Sequence, residues 1–74
     1  MPTHTVNARR LLCPMPVIRL QAAVTKADVG DAVEIICTDY GTQHDIPAWC
    51  RVHGHNLTEQ SIEDGEYRFT VIKC

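Results

Sequence analysis

Long hydrophobic runs are missing from this chain. No apolar stretch approaches the roughly 20 residues that a helix needs to cross a bilayer, which argues against a helical membrane protein. The opening "MPTHTVNARR" lacks the hydrophobic segment of a secretory leader, so the expected location is the cytoplasm. Cys-x-x-Cys is missing too, since the cysteines stand at 13, 37, 50 and 74. In a reducing cytosol such cysteines are expected to be free, reactive or metal-bound, and a disulfide framework would leave three pairings open. Aromatic residues make up only 5% and are not interleaved with a basic face. Direct nucleic-acid binding is therefore not expected, with only Arg9, Arg10 and Arg19 hinting at it. Repeats, low-complexity tracts and linkers are absent, so the 74 residues are expected to form a single domain, 1–74, near the lower size for a self-sufficient core.

Acidic residues are lacking before Asp28, so the first third, with Arg9, Arg10, Arg19 and Lys26, is basic. The rest is acidic, and the formal net charge is −2. That sum gives no drive toward nucleic acid or membrane, and mixed solvated charge is the default expectation for such a surface.

What is present is a regular alternation of strand and helix signals. "THTVNA" is polar-alternating and β-prone, and is predicted as a first strand at an edge. Val17, Leu20, Val24 and Ala27 recur at three- and four-residue spacing, which predicts one face of a helix stopped by "VGD". "AVEIICTD" is an apolar, β-branched run and predicts a largely buried strand. "YGTQHDIPAWCRVHG" predicts a second helix, with Ile46, Trp49, Cys50 and His53 on one side and Gly54 as the C′ residue. Its start is open: Thr42 and Asp45 form a capping box, or Asp45 itself caps and Pro47 falls in the first turn. "NLTEQSIE" and "EYRFTVIK" predict two strands joined by a hairpin at Asp64-Gly65. The order β-α-β-α-β-β implies an α/β (α+β) two-layer sandwich. Its four-stranded sheet is mixed, with two helices on one face.

That topology gives meaning to "LLCPMPVIRL". Sites in open α/β sheets gather beyond the carboxyl ends of parallel strands. Cys13 lies there, and "TDYGT" at 38–42 lies at the equivalent point after the second strand. Asp39 and Thr42 are thus expected near Cys13. With Cys13 as Ncap, Pro14 and Pro16 fall at positions whose N–H has no helical partner, so they stiffen the turn without removing a hydrogen bond. The Met15 N–H is then expected to approach the sulfur. The helix N-terminus, with Arg9 and Arg10 upstream, is expected to favour thiolate at Cys13. The opposing interpretation is a small buried cysteine followed by an ordinary N1 proline. No local histidine or acid is placed to act as a base, which counts against a hydrolytic Cys-His site.

"CPMP" at a helix start, the β-α-β-α-β-β order and "TDYGTQHDIPAWC" together resemble the TusA (SirA-like) sulfur carrier proteins. The likeness runs from "VNARRLLCPMPVIRL" through "DIPAWCRVHGHNL" to "YRFTVIK". It implies a carrier that holds sulfane sulfur as a persulfide on Cys13, with no other cofactor and no metal. Pro14, Met15, Pro16, Arg9, Arg10, Asp39 and Thr42 would support the site. The partners implied are a donor protein, either a cysteine desulfurase or a rhodanese, and a sulfur-acceptor protein. The destinations implied include tRNA thiolation, cofactor sulfuration and sulfur oxidation. The carrier, a monomer, would act as a cosubstrate rather than a stand-alone catalyst. The family's Asp-x-x-Gly before the motif is replaced here by Asn7 and Arg10. That departure motivates the alternative, a regulatory or protein-interaction domain of the same fold that transfers no sulfur.

The remaining candidates have blander roles. Cys37 is expected in the core, and Cys50 in a structural position or, as the minority case, as a resolving thiol. Cys50, His53 and His55 form C-x-x-H-x-H, yet a zinc site normally draws its four ligands from two clusters and no second cluster is evident. Trp49 is expected as a core anchor and His53 as a favourable charge at a helix end. Terminal Cys74 would either attack a Cys13 persulfide or form an intermolecular disulfide.

Overall fold

A computed structural model of the chain describes residues 3–74. Strands β1 (Thr3–Ala8), β2 (Ala32–Cys37), β3 (Asn56–Glu63) and β4 (Glu66–Ile72) alternate with helices α1 (Met15–Lys26) and α2 (Thr42–His53) in the predicted order. The sheet runs β1-β2-β4-β3, which puts β1 at an edge. β1 and β2 are parallel, with Ala8 opposite Cys37. β4 is antiparallel to both β2 and β3, so the sheet is mixed.

The strand periodicity decides which residues meet the helices. Val33, Ile35 and Cys37 of β2 and Phe69 and Val71 of β4 are fully buried at alternate positions. They share one core with Leu20 and Val24 of α1, Ala27 just beyond it, and Ile46 and Cys50 of α2. Each large aliphatic or aromatic side chain buried there contributes about 1.5–3 kcal/mol relative to exposure. Both helices therefore lie over the same sheet face. On α1 the buried row is Pro16, Leu20 and Val24. Pro16 joins it because the second proline faces inward, and Val17 packs only at its margin.

α2 begins at Thr42 with Gly41 as N-cap and no side-chain capping bond, so neither predicted cap forms. Thr42 is fully buried, and its Oγ1 donates to the Asp39 carbonyl at 2.7 Å. It ties down the preceding loop instead of closing a capping box. Pro47 consequently lies inside the helix. The buried row is Thr42, Ile46 and Cys50. Trp49 packs at the core's edge, with an indole Nε1 that is buried and unpartnered. His53 is exposed rather than core-facing. Gly54 ends the helix at φ 74°, as its sequence position predicts. In the β3–β4 hairpin Asp64 (φ 52°) and Gly65 (φ 76°) both take positive φ, the backbone required by a tight turn that follows the strand twist.

Candidate functional site

Because β1 and β2 are parallel neighbours, the loops that leave them emerge at one edge of the sheet. The β1–α1 loop carries Arg9 to Pro14, and the β2–α2 loop carries Thr38 to Gly41. The Arg10 N–H donates to Thr38 Oγ1 at 2.8 Å and joins the two loops. Arg10 holds φ 65°, a conformation that costs a residue with a Cβ, so the chain accepts strain where glycine would be free. Asn7 Oδ1 accepts the Arg9 N–H at 3.1 Å just before it. The loop thus forms with Asn7 and Arg10 in place.

Cys13 is half-buried on this loop and its peptide bond to Pro14 is cis. Pro14, not Cys13, is the N-cap, and the helix begins at Met15. Cys13 Sγ donates to Asp39 Oδ2 at 2.7 Å. Gly41 lies alongside. A Cβ there would stand 3.0 Å from Cys13 Sγ, 3.2 Å from Asp39 Oδ2 and 3.9 Å from Asp45 Oδ2. Its φ of −62° is open to any residue, so what a larger residue would meet here is crowding, with Sγ and Oδ2 having to give by a few tenths of an ångström. The exposed side chains of Leu12, Met15, Ile18 and Tyr40 give these two loops and the first turns of α1 an apolar surface.

The electrostatics reverse one expectation. The thiol of Cys13 is pushed up to about 12, first by its hydrogen bond to Asp39, then by Asp45, with burial adding to both. Two carboxylates outweigh the helix N-terminus, and Cys13 rests as thiol, not thiolate. Nor does the Met15 N–H reach the sulfur, since it donates to the Leu12 carbonyl at 2.9 Å in the turn that the prolines enforce. Arg9 offers no compensation. Its guanidinium crosses to Glu66 on β4, with Nη2–Oε1 at 3.2 Å, and Arg68 joins the same carboxylate at 3.3 Å. Asp39 does fall beside Cys13 as the strand-end argument requires, whereas Thr42 is fully buried and reaches the site only through its bond to the Asp39 carbonyl. Asp45 and Gly41 were not singled out from sequence for the sulfur. The same argument would have placed both at this edge, because they open the helix that follows β2.

The other cysteines separate by burial. Cys37 is fully buried, which with little relief from Thr42 pushes its thiol up to about 11. Cys50 is 2% exposed and its thiol is also raised by burial. Both are core residues. Cys74 lies at the opposite end of the sheet, because Ile72 pairs with Ala32 whereas Tyr67 pairs with Cys37. Five residues of strand separate those ends, about 17 Å, so Cys74 cannot attack sulfur on Cys13 of the same chain. Its N–H donates to His55 Nδ1 at 3.2 Å. His53 and His55 lie against the Trp49 ring at centroid distances of 4.9 and 5.3 Å while Cys50 points into the core, so C-x-x-H-x-H does not converge. Among the described residues no cluster of three or more His, Cys, Asp or Glu is arranged for a metal ion. Likewise no helix among them is long and apolar enough to cross a membrane.

Cys13 is thus a half-buried cysteine at a proline-stiffened helix start, facing the loop after a parallel strand. The family model described as sulfurtransferase TusA matches residues 4–73, and the chain belongs to that family. A Bacillus subtilis (strain 168) relative named "Putative sulfur carrier protein" is 35% identical over 68 residues, 92% of this chain and 91% of the relative. A Neisseria meningitidis serogroup A relative with the same designation is 34% identical over 71 residues, 96% of each. The crystal structure of a SirA-like protein from Desulfitobacterium hafniense shares the fold at TM-score 0.83, covering 96% of both chains at 22% identity.

Proposed function

We propose that the protein is a sulfur carrier that holds sulfane sulfur as a persulfide on Cys13. It receives that sulfur from a cysteine desulfurase or a rhodanese-type donor and passes it to a second protein. The observation that carries this is the presentation of Cys13: half-exposed and set between two loops bonded to each other. The family membership and the names of its relatives support the same reading. Transfer balances without an oxidant: Cys13–SH and the donor's R–S–SH give Cys13–S–SH and R–SH. One S–S bond forms as another breaks, and the electron pair leaves on the donor's sulfur. The protein acts as cosubstrate, because it is loaded by one protein and unloaded by another. Partners approach the edge carrying Arg9, Arg10 and Met15, with Pro14, Pro16 and Thr42 holding the loops, and the setting is a reducing cytoplasm.

The alternative, a domain of this fold that transfers no sulfur, draws its motive from Asn7 and Arg10. Both residues sit in hydrogen bonds that hold the Cys13 loop, so they give that alternative little weight. The test is intact mass measurement after incubation with a desulfurase plus cysteine, and separately with a rhodanese plus thiosulfate. A reductant-labile gain of one sulfur atom is expected, lost in Cys13→Ser and kept in Cys50→Ser. No gain from either donor, or full loading of Cys13→Ser, would sink the proposal.

A further inference from the structure

The thiol of Cys13 is bonded to a carboxylate rather than to a base of matched strength, and a carrier with that arrangement calls for an account of where its proton goes. We propose that Asp39 is the proton acceptor for Cys13 during loading and hands that proton to the departing thiolate of the donor. The inference rests on the sulfur-carrier reading and names a residue and a step within it.

The geometry is direct. Asp39 Oδ2 already holds the S–H at 2.7 Å, so transfer needs no rearrangement of the loop. The backbone that carries Asp39 is held in place. Thr42 Oγ1, fully buried, donates to the Asp39 carbonyl, and Arg10 N–H binds Thr38 one residue earlier. Gly41 keeps a Cβ from crowding the Cys13 Sγ–Asp39 Oδ2 pair, 3.0 and 3.2 Å away, so the two atoms keep their contact without displacement. The charged groups acting on the sulfur are Asp39 from the β2–α2 loop and Asp45 from α2. Arg9, the cation nearest in sequence on the β1–α1 loop besides Arg10, is bound to Glu66. In the free carrier the carboxylates keep the proton on sulfur, and the thiol is a poor nucleophile toward small electrophiles.

Loading changes the balance at Sγ. As the Cys13 Sγ–sulfane sulfur bond forms, the donor's S–S bond breaks and its electron pair departs on the inner sulfur of the donor. Electron density leaves Sγ, the S–H becomes more acidic, and the proton crosses to Asp39 Oδ2. An ordinary thiolate is far more basic than a carboxylate, so Asp39 gives the proton up to the leaving group and returns to its ionised form. Nothing is oxidised overall, and the carboxylate is regenerated in each cycle.

Two opposite effects of one substitution test this. In a Cys74→Ser background, which removes the exposed competing thiol, Asp39→Asn should let thiolate form at lower pH. The thiolate fraction at neutral pH then rises, and because a less basic thiolate is also a weaker nucleophile, the rate of alkylation by iodoacetamide should rise about threefold or more, roughly half a decade for each tenfold gain in thiolate. The same variant should take sulfur from the desulfurase or rhodanese at least about tenfold more slowly, with Asp39→Glu restoring part of that rate. Asp45→Asn should speed alkylation less than Asp39→Asn, and thermal melts identify any variant that has not folded. An Asp39→Asn protein that alkylates no faster than its parent, or that loads as fast, overturns the inference. A parent protein that takes no sulfur from either donor overturns the carrier reading instead, and the alkylation profile still reports whether Asp39 holds the proton.

Discussion

Replacing Arg10 by glycine should stabilise the protein even though it removes a charged side chain from the site's edge. Arg10 holds φ 65°, where a Cβ costs about 1–2 kcal/mol. Its bond to Thr38 runs through the backbone N–H and survives the change. Glycine gives back part of the gain because it loosens the unfolded chain, by about 0.4–1 kcal/mol. The net is a stabilisation of roughly 0.5–1 kcal/mol, or about 2–8 °C in Tm for a domain of this size. Thermal unfolding followed by circular dichroism, at fixed pH with reduced thiols, measures it. Arg10→Ala is the control: it loses the same charge and keeps the strain, so it should not gain. An Arg10→Gly melting temperature equal to or below the parent's, or an equal rise in Arg10→Ala, refutes the reasoning. If Arg10 also faces sulfur-transfer partners, Arg10→Gly should transfer sulfur more slowly while melting higher.

Replacing His4 by glutamine should cost stability at pH 5 and progressively less as the solution is acidified. His4 Nε2 lies 3.0 Å from Asp31 Oδ2 and, with the Asp28 N–H, holds the Asp31 carboxyl below the usual carboxylate range. A folded pKa below the unfolded one adds stability that is present above the ordinary carboxylate value and is lost as pH falls from there through the lowered folded value. His4→Gln should therefore narrow the gap between parent and variant denaturation midpoints as pH falls from 5 to about 3; an unchanged gap would contradict this. Phe69→Ala should remove about 3–5 kcal/mol, because Phe69 is fully buried in β4 between β2 and β3. Against a total of about 4–11 kcal/mol for a chain this long, urea unfolding should show a midpoint shifted far down or no folded baseline. A midpoint within error of the parent's would refute the placement of the core.

Much of the architecture was legible in the chain because it rests on local pattern. Alternation marked β4, three-and-four spacing marked α1, and Asp64-Gly65 marked the hairpin, each through a period or a φ requirement that one segment carries alone. The strand-end argument also put Asp39 beside Cys13, since a parallel β1–β2 pair sends both loops to one edge. The capping of α2 was not legible. Thr42, Asp45 and Gly41 all qualify locally, and the choice fell to Thr42's burial under the sheet, which turned its hydroxyl back to Asp39. The ionisation of Cys13 was missed for the same reason. Seen along the chain, the sulfur has a helix N-terminus and two arginines for neighbours. In the folded chain Glu66, 57 residues after Arg9, takes that arginine away, and Asp39, 26 residues after Cys13, accepts the thiol's hydrogen bond and keeps the proton on sulfur. The sequence by itself determined where the cysteine is, how stiffly it is presented and which strand end it occupies, because those depend on neighbours in the chain. Only the tertiary structure decided which charges surround the sulfur, because electrostatic interaction falls off with distance in space and takes no account of distance in sequence.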